Sequence, residues 1–431
     1  MLNNKMLCLL GIGAGIFVTW QWQNIKYLYK GLTLFNKSTI VDNFRSMTNL
    51  GFPYNTAKHG DIAEFIEGYN QPLPKTFTFN DITYNLEEWL KDHWTTGLVV
   101  LKVESPTNAR LLHESYYLGN SRETKTISWS VGKSVVSALI GIAISEQKIQ
   151  SIDDDVCKYA PKLKESGYNG VKIKDVLQMS SGISFDENYA NSMSDINKMA
   201  YWLTLGWDLE DFISSLKRDK EPGTIHNYIS VDTQVLGMVL SGAINKVETP
   251  ILPRKSLTSY LEDKIWRKGG FESDCHWLLD NNRSLMELAF GTLNACTRDY
   301  ARFGWLYLNN GLSPLDGNRL IDEKWIKESV SLTETHLEPN YPYKIGYGYQ
   351  WWLPGSESEP NKNNGDYLAI GVYNQFIYVN PSSGIVIARN SANPNYNSEV
   401  IKVGEHEINT GELEAINAFR AIAHHYDELQ Q

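Results

Sequence analysis

The chain has 431 residues, 42% of them hydrophobic and 21% charged, with 13 Trp and 24 Tyr. Such a composition excludes a disordered protein, and the length predicts either a large two-lobed domain or two domains. The net charge of −10 argues against a nucleic-acid binder and is most simply a matter of solubility.

From Met6 to Trp22 the chain is almost continuously apolar, with Lys5 before it and Lys26 and Lys30 after it. This is the short end of a membrane span, and Trp20 and Trp22 suit an interface. A signal peptide is the rival, but no A-x-A cleavage site follows the run. Residues 1–22 are therefore expected to be an uncleaved anchor (or signal segment). The membrane is then a partner, and the bulk of the protein lies outside the cytoplasm. Residues 23–80 form a Pro- and Asn-containing lead-in without an assignable motif. Cys8, Cys157, Cys275 and Cys296 have neither metal-like spacing nor a disulfide pattern, and the nine histidines include no H-E-x-x-H. No metal or other cofactor is expected.

Leu86–His93 reads as a helix, with Leu86, Trp89 and Leu90 on one face. Thr96–Val103 and Arg110–Tyr117 read as two strands joined by a Ser-Pro-Thr-Asn turn. A long apolar helix then opens at Ser130 and runs to Ser145. Its first turn, Ser130-Val131-Gly132-Lys133, is an S-x-x-K pattern, which sets a weak nucleophile and a lysine base on one helix face. At a helix start, free N–H groups and the dipole favour a developing negative charge. The pattern alone is weak. It recurs at Ser145–Lys148 and Ser214–Lys217, and a solvated Ser/Lys helix start would look the same; what sets Ser130 apart is that it follows a strand and opens a helix.

The next two hundred residues are mostly helical. Pro222-Gly223 begins a turn carrying Tyr228-Ile229-Ser230 ahead of a helical run, Val231–Leu240. Any one tyrosine among 24 is more often packing than chemistry, but the Tyr-x-Ser turn between helices raises Tyr228 above that expectation; His226 beside it reads as a turn-stabilising residue. Strand character returns at Tyr347–Trp352, Tyr367–Ile370, Gln375–Val379 and Gly384–Arg389, the last two joined by a turn at 380–384. The chain closes on an amphipathic helix bearing Leu413, Ile416, Phe419, Ile422 and Tyr426, with Asn409 and Glu412 as a capping pair. Strands early and late with helices between them predict an α/β protein of the α+β type. One antiparallel sheet is built from about 81–145 and 345–431 and covered by helices, and a mainly helical lobe, about 146–344, is inserted.

Ser130-Val131-Gly132-Lys133, Tyr228-Ile229-Ser230 and Ala369-Ile370-Gly371-Val372-Tyr373 fall in the order of the penicillin-recognising serine hydrolases. Over roughly residues 80–430 the chain resembles the branch holding class C β-lactamases, family VIII carboxylesterases and aminohexanoate-dimer hydrolases. Connectors at 153–161, 175–183, 291–295 and 346–352 carry the likeness further. The resemblance implies a β-lactamase/transpeptidase-like hydrolase domain over 81–431. It makes Ser130 the nucleophile, Lys133 its base and Tyr228 the proton shuttle, with the backbone N–H groups of Ser130 and Val372, the latter on an edge strand, as oxyanion donors. Ser230, Ile370, Gly371, Tyr373 and Tyr189 would border a small ester or amide substrate, as would Asp195. Where many relatives carry Lys-Thr-Gly or His-Thr-Gly, this chain has Ala369-Ile370-Gly371, and Ser230 stands where β-lactamases usually carry Asn. Both departures favour esterase- or amidase-like chemistry over penicillin turnover.

The mechanism makes one physical demand. A lysine near its ordinary pKa of about 10.4 is almost wholly charged at pH 7, so Lys133 must be pushed down by burial, or else Tyr228 must be held as phenolate beside a charged lysine. Trp129, Trp202, Trp207, Trp351, Trp352 and Tyr373 are candidates for an apolar cleft, though each is at least as well explained by packing. Two alternatives stand beside the esterase/amidase reading: a β-lactamase or D-alanyl peptide hydrolase, and a catalytically silent relative that binds a ligand. The oligomeric state is not legible.

Overall fold

A computed structural model describes residues 29–68, 70–245, 255–280, 285–339, 345–355, 365–403 and 406–429. The expected anchor, 1–22, lies outside these residues. Among the described residues no helix is long and apolar enough to cross a membrane.

The early hairpin consists of β1 (Thr95–Ser105) and β2 (Asn108–Tyr116), closed by Pro106-Thr107. The late strands are β3 (Ile345–Tyr347), β4 (Trp352–Pro354), β5 (Tyr367–Gly371), β6 (Gln375–Asn380) and β7 (Ile385–Ser391). They form one seven-stranded antiparallel sheet in the order β2-β1-β7-β6-β5-β4-β3. The two ends of the chain meet where β7 pairs with β1. Tyr347–Trp352, expected as one strand, instead splits into the ends of β3 and β4. The reason is local: Gln350 takes a left-handed φ of 63° and its side chain turns inward to Thr233 and Leu177.

Period-2 alternation divides the sheet's side chains between two cores. Val99, Leu101, Ile377, Val379 and Val386 join a large core with helices α1 (Gly132–Ser145), α2 (Ser230–Ile244) and α3 (Thr297–Leu308). Leu98, Val100, Phe376, Tyr378 and Ile387 join a second core with the Leu86–Asp92 helix and α4 (Thr410–Glu428). The sheet is thus covered on both faces. α3, inside the stretch expected to form the helical lobe, packs directly on the sheet. A helix apolar all round must be interior, and α1 is buried from Gly132 to Ala143.

The capping pair of α4 is only half formed. Asn409 accepts from the Glu412 N–H at 3.1 Å, but the Glu412 carboxylate accepts from the Tyr396 hydroxyl at 2.6 Å. Part of the lead-in is structural. Tyr54–Ala57 belongs to a second, four-stranded sheet with Cys275–Leu278, Leu293–Cys296 and Lys125–Ile127. The last of these strands leads straight into the turn that carries Ser130.

Candidate active site

Ser130 sits in a single 3-10 turn, Trp129–Val131, that runs directly into α1. Trp129 has a φ of 43°, a conformation that a bulky residue keeps only when its surroundings enforce it. Here they do. Its ring lies 5.3 Å from Phe44, 5.6 Å from Phe35 and 6.2 Å from Tyr373. The lead-in residues Phe35 and Phe44 therefore help to hold the turn on which Ser130 stands.

Lys133, one turn on, is 2% exposed. Its Nζ lies 3.0 Å from Ser130 Oγ, 3.1 Å from Ser230 Oγ and 2.6 Å from the Phe290 carbonyl oxygen. Three acceptors around three N–H bonds satisfy an ammonium, yet none of them is a carboxylate. Burial lowers the Lys133 pKa from 10.5 to about 8, against the opposing pull of Glu187 and Asp232. The other two S-x-x-K serines have ordinary work: Ser145 Oγ donates to the Gly141 carbonyl at 3.1 Å, and Ser214 Oγ to the Lys162 carbonyl at 3.4 Å.

Tyr228 precedes α2 and stacks on Trp352 at 5.1 Å, with the Lys133 ammonium 5.3 Å from its ring centroid. Burial pushes its phenol well above the ordinary tyrosine value, although a hydrogen bond with Ser130 opposes the rise. Burial thus weighs against the phenolate alternative for Tyr228, because it penalises the charged form of the phenol. His226 packs against Tyr347 at 4.9 Å, and burial lowers its pKa to about 4.

The end of β5 lies against the Ser130 turn. A Cβ at Gly371 would stand 2.6 Å from the Ser128 carbonyl oxygen and 3.1 Å from the Ser130 nitrogen. Only glycine allows that approach. A Cβ at Gly291 would also stand 3.1 Å from the Ser130 nitrogen. Val372 is not on an edge strand: β5 is interior to the sheet, and Val372 opens the turn between β5 and β6, whose Tyr373 and Asn374 have φ of 62° and 67°. β4 pairs with β5 only at Leu368, so its pairing stops well short of Ile370 and Gly371. Tyr373 stacks on Phe35 at 5.0 Å.

The remaining expected residues divide. Ser230 is at the centre of the cluster. Tyr189 is close by, its hydroxyl donating to Glu187 at 2.7 Å. Asp195 closes its own loop by accepting from the Asp186 N–H and pairing with Lys198. Trp351 is fully buried in the core, and Trp202 packs on Trp207 at 4.7 Å within the helical lobe. Trp352 is the one tryptophan of that late pair that touches Tyr228. Sequence reasoning missed Glu187 and the Phe290 carbonyl. The only signal for Glu187 was its place two residues before Tyr189. Among the described residues no group of three or more His, Cys, Asp or Glu side chains could hold a metal.

A model of the Beta-lactamase family matches residues 108–405. The chain is similar to the 6-aminohexanoate-dimer hydrolase of Paenarthrobacter ureafaciens, 26% identical over 323 residues, which span 72% of this chain and 76% of that protein. Among solved structures it is similar to a Bacillus anthracis protein assigned as a 6-aminohexanoate-dimer hydrolase (TM-score 0.76, 22% identity, 92% of this chain and 97% of that one). It is also similar to EstCE1, a hydrolase with promiscuous acyltransferase activity (TM-score 0.55, 14% identity, 71% of this chain and 91% of that one). At these identities the two structures speak for the fold.

Proposed function

We propose that this chain, which belongs to the Beta-lactamase family and is a serine hydrolase of amide or ester bonds, works through an acyl-enzyme on Ser130. The observation that carries the assignment is the Lys133–Ser130 contact at 3.0 Å, made by a buried lysine with no carboxylate on its ammonium. With its pKa near 8, about a tenth of Lys133 is neutral at pH 7, a fraction large enough to serve as base.

In this reading Ser130 Oγ attacks the substrate carbonyl carbon and its proton passes to Lys133. The backbone N–H groups of Ser130 and Val372 take the oxyanion. As the carbonyl reforms, the bond to the leaving oxygen or nitrogen breaks, and Tyr228 donates a proton to that atom and is reprotonated from Lys133. Water then repeats the sequence on the acyl-enzyme and frees the acid. Ser230, Ile370, Gly371, Tyr373 and Tyr189 line the approach. The uncharged Ala369 favours small esters or amides over a substrate bearing a carboxylate at that point.

The test is labelling by a fluorophosphonate, mapped to its residue, together with p-nitrophenyl butyrate turnover by wild type and Ser130→Ala. Label on Ser130 and loss of turnover in the variant are expected. A folded wild-type protein that neither labels nor turns over favours the silent ligand-binding alternative; rapid nitrocefin hydrolysis favours the β-lactamase one.

A further inference from the structure

We infer that Glu187 is a positioning residue which, acting through Ser230, aims the lone pair of Lys133 at Ser130. The inference rests on the reading of Lys133 as the base.

Glu187 lies in the loop before the Asp195–Thr204 helix, far from Lys133 in sequence. Three donors converge on its side chain: the Ser230 backbone N–H at 2.9 Å, the Ser230 hydroxyl, and the Tyr189 hydroxyl at 2.7 Å. The backbone N–H can only donate, and with the carboxylate ionised both hydroxyls donate as well; burial raises the Glu187 pKa, while Lys133 and these same hydrogen bonds pull it down. A serine hydroxyl has one hydrogen, and at Ser230 it is committed to Glu187. Toward Lys133, at 3.1 Å, Ser230 can therefore only accept. The Phe290 carbonyl, at 2.6 Å, is an acceptor by nature. When Lys133 gives up a proton its two remaining N–H bonds stay with Ser230 and Phe290. The lone pair is left facing the third neighbour, Ser130. Without the carboxylate the Ser230 hydroxyl is free to turn and donate to Lys133, drawing the lone pair away from the nucleophile. A base oriented by a third group is a general requirement for an activated nucleophile; here a serine stands between base and acid.

The charge has a second effect. Glu187 from its loop and Asp232 from α2 raise the Lys133 pKa against burial, and burial in turn raises both carboxyls, Asp232 to about 8. Asp232 is itself buried and accepts from Tyr168 at 2.8 Å. Burial raises the phenols of Tyr228 and Tyr189, the other titratable groups facing this cluster. Replacing Glu187 by a neutral residue therefore slows the reaction while moving the acid limb of its pH profile to lower pH. Loss of loop structure alone would not produce that shift.

The experiment measures kcat and KM for p-nitrophenyl butyrate across pH for wild type, Glu187→Gln, Ser230→Ala and the double variant, with thermal unfolding as the control for folding. Glu187→Gln is expected to lower kcat about 100-fold, leave KM within about twofold, and shift the acid limb downward. Added to Ser230→Ala it should cost nothing further, since both act through one hydroxyl. An acid limb that stays in place, or losses that multiply, overturns the inference. If Glu187→Gln does not fold, Ser230→Ala decides: unchanged kcat in that variant overturns it too. Turnover retained by Ser130→Ala would remove the premise; an inactive Ser130→Ala with unmoved Glu187→Gln removes this inference alone.

Discussion

Two sets of buried cations in this molecule receive opposite treatment. Arg298 and Arg302 on α3 are both fully buried. Arg298 meets Glu114 at 2.9 Å and Glu272 at 3.0 Å, Arg302 meets Glu272 at 2.9 Å, and both guanidinium groups lie over the Phe65 ring at 4.6 and 4.1 Å. Burial alone would raise Glu272, yet Arg302, Arg298 and Arg122 hold it below the ordinary carboxylate range. Charge is neutralised on the spot, and the cluster ties α3 to β2 and to the loop at 272. Lys133 is buried as deeply but receives two hydroxyls and a carbonyl, with its nearest carboxylate one serine away. Its proton is correspondingly loose. Between these two clusters, the cations in direct contact with carboxylates keep their protons, and the lysine given only neutral acceptors can release one.

Matched substitutions break this comparison most sharply. Lys133→Met removes the base and a buried ammonium together. Turnover should fall by about four orders of magnitude, while unfolding free energy stays within about 2 kcal/mol of wild type, because the lost hydrogen bonds are offset by relief of desolvation. Arg298→Met leaves Glu114 and Glu272 short of a partner. It should cost about 3–5 kcal/mol in denaturant titration, with the surviving folded enzyme retaining its pH profile. If the two variants exchange these outcomes, the distinction fails.

Smaller effects sharpen the picture around Ser130. Gly371→Ala forces a methyl against the Ser128 carbonyl, 2.6 Å from its ideal position. The nucleophile turn must shift, and kcat/KM should drop about 100-fold with little change in melting temperature; turnover within twofold of wild type would count against this placement of the glycine. The mildest test needs no mutation. Lys133 acts in its neutral form and its pKa is about 8, so kcat/KM should climb about tenfold per pH unit below that value and level off above it. A flat profile between pH 6 and 9 would mean that some other group takes the Ser130 proton.

Most of the strands were readable because their signals are local. The apolar, β-branched run at Thr96–Val103 and the turn at 380–384 needed no knowledge of distant residues. The run at Tyr347–Trp352 misled because its kink comes from Gln350 reaching across to α2 and to the Leu177 carbonyl. Val372 misled in a similar way. Its position in the chain order was legible, but whether β5 lay at an edge depended on β3 and β4 adding beyond it.

By itself the sequence determined that Ser130 and Lys133 would face each other, since residues three apart on one helix are neighbours by geometry. It also determined that the helix carrying them would be interior, because α1 is apolar all round. The anchor expected at residues 1–22 still rests on sequence alone. Tertiary structure decided everything that turns that pair into chemistry. It brought the Phe290 carbonyl from 157 residues away and Ser230 from 97, seated Glu187 behind Ser230, and pressed Gly371 against the Ser130 amide. The physical reason is that the proton affinity of a lysine depends on the dielectric and the dipoles around it, and in this site those come from segments that meet only when the whole core has packed.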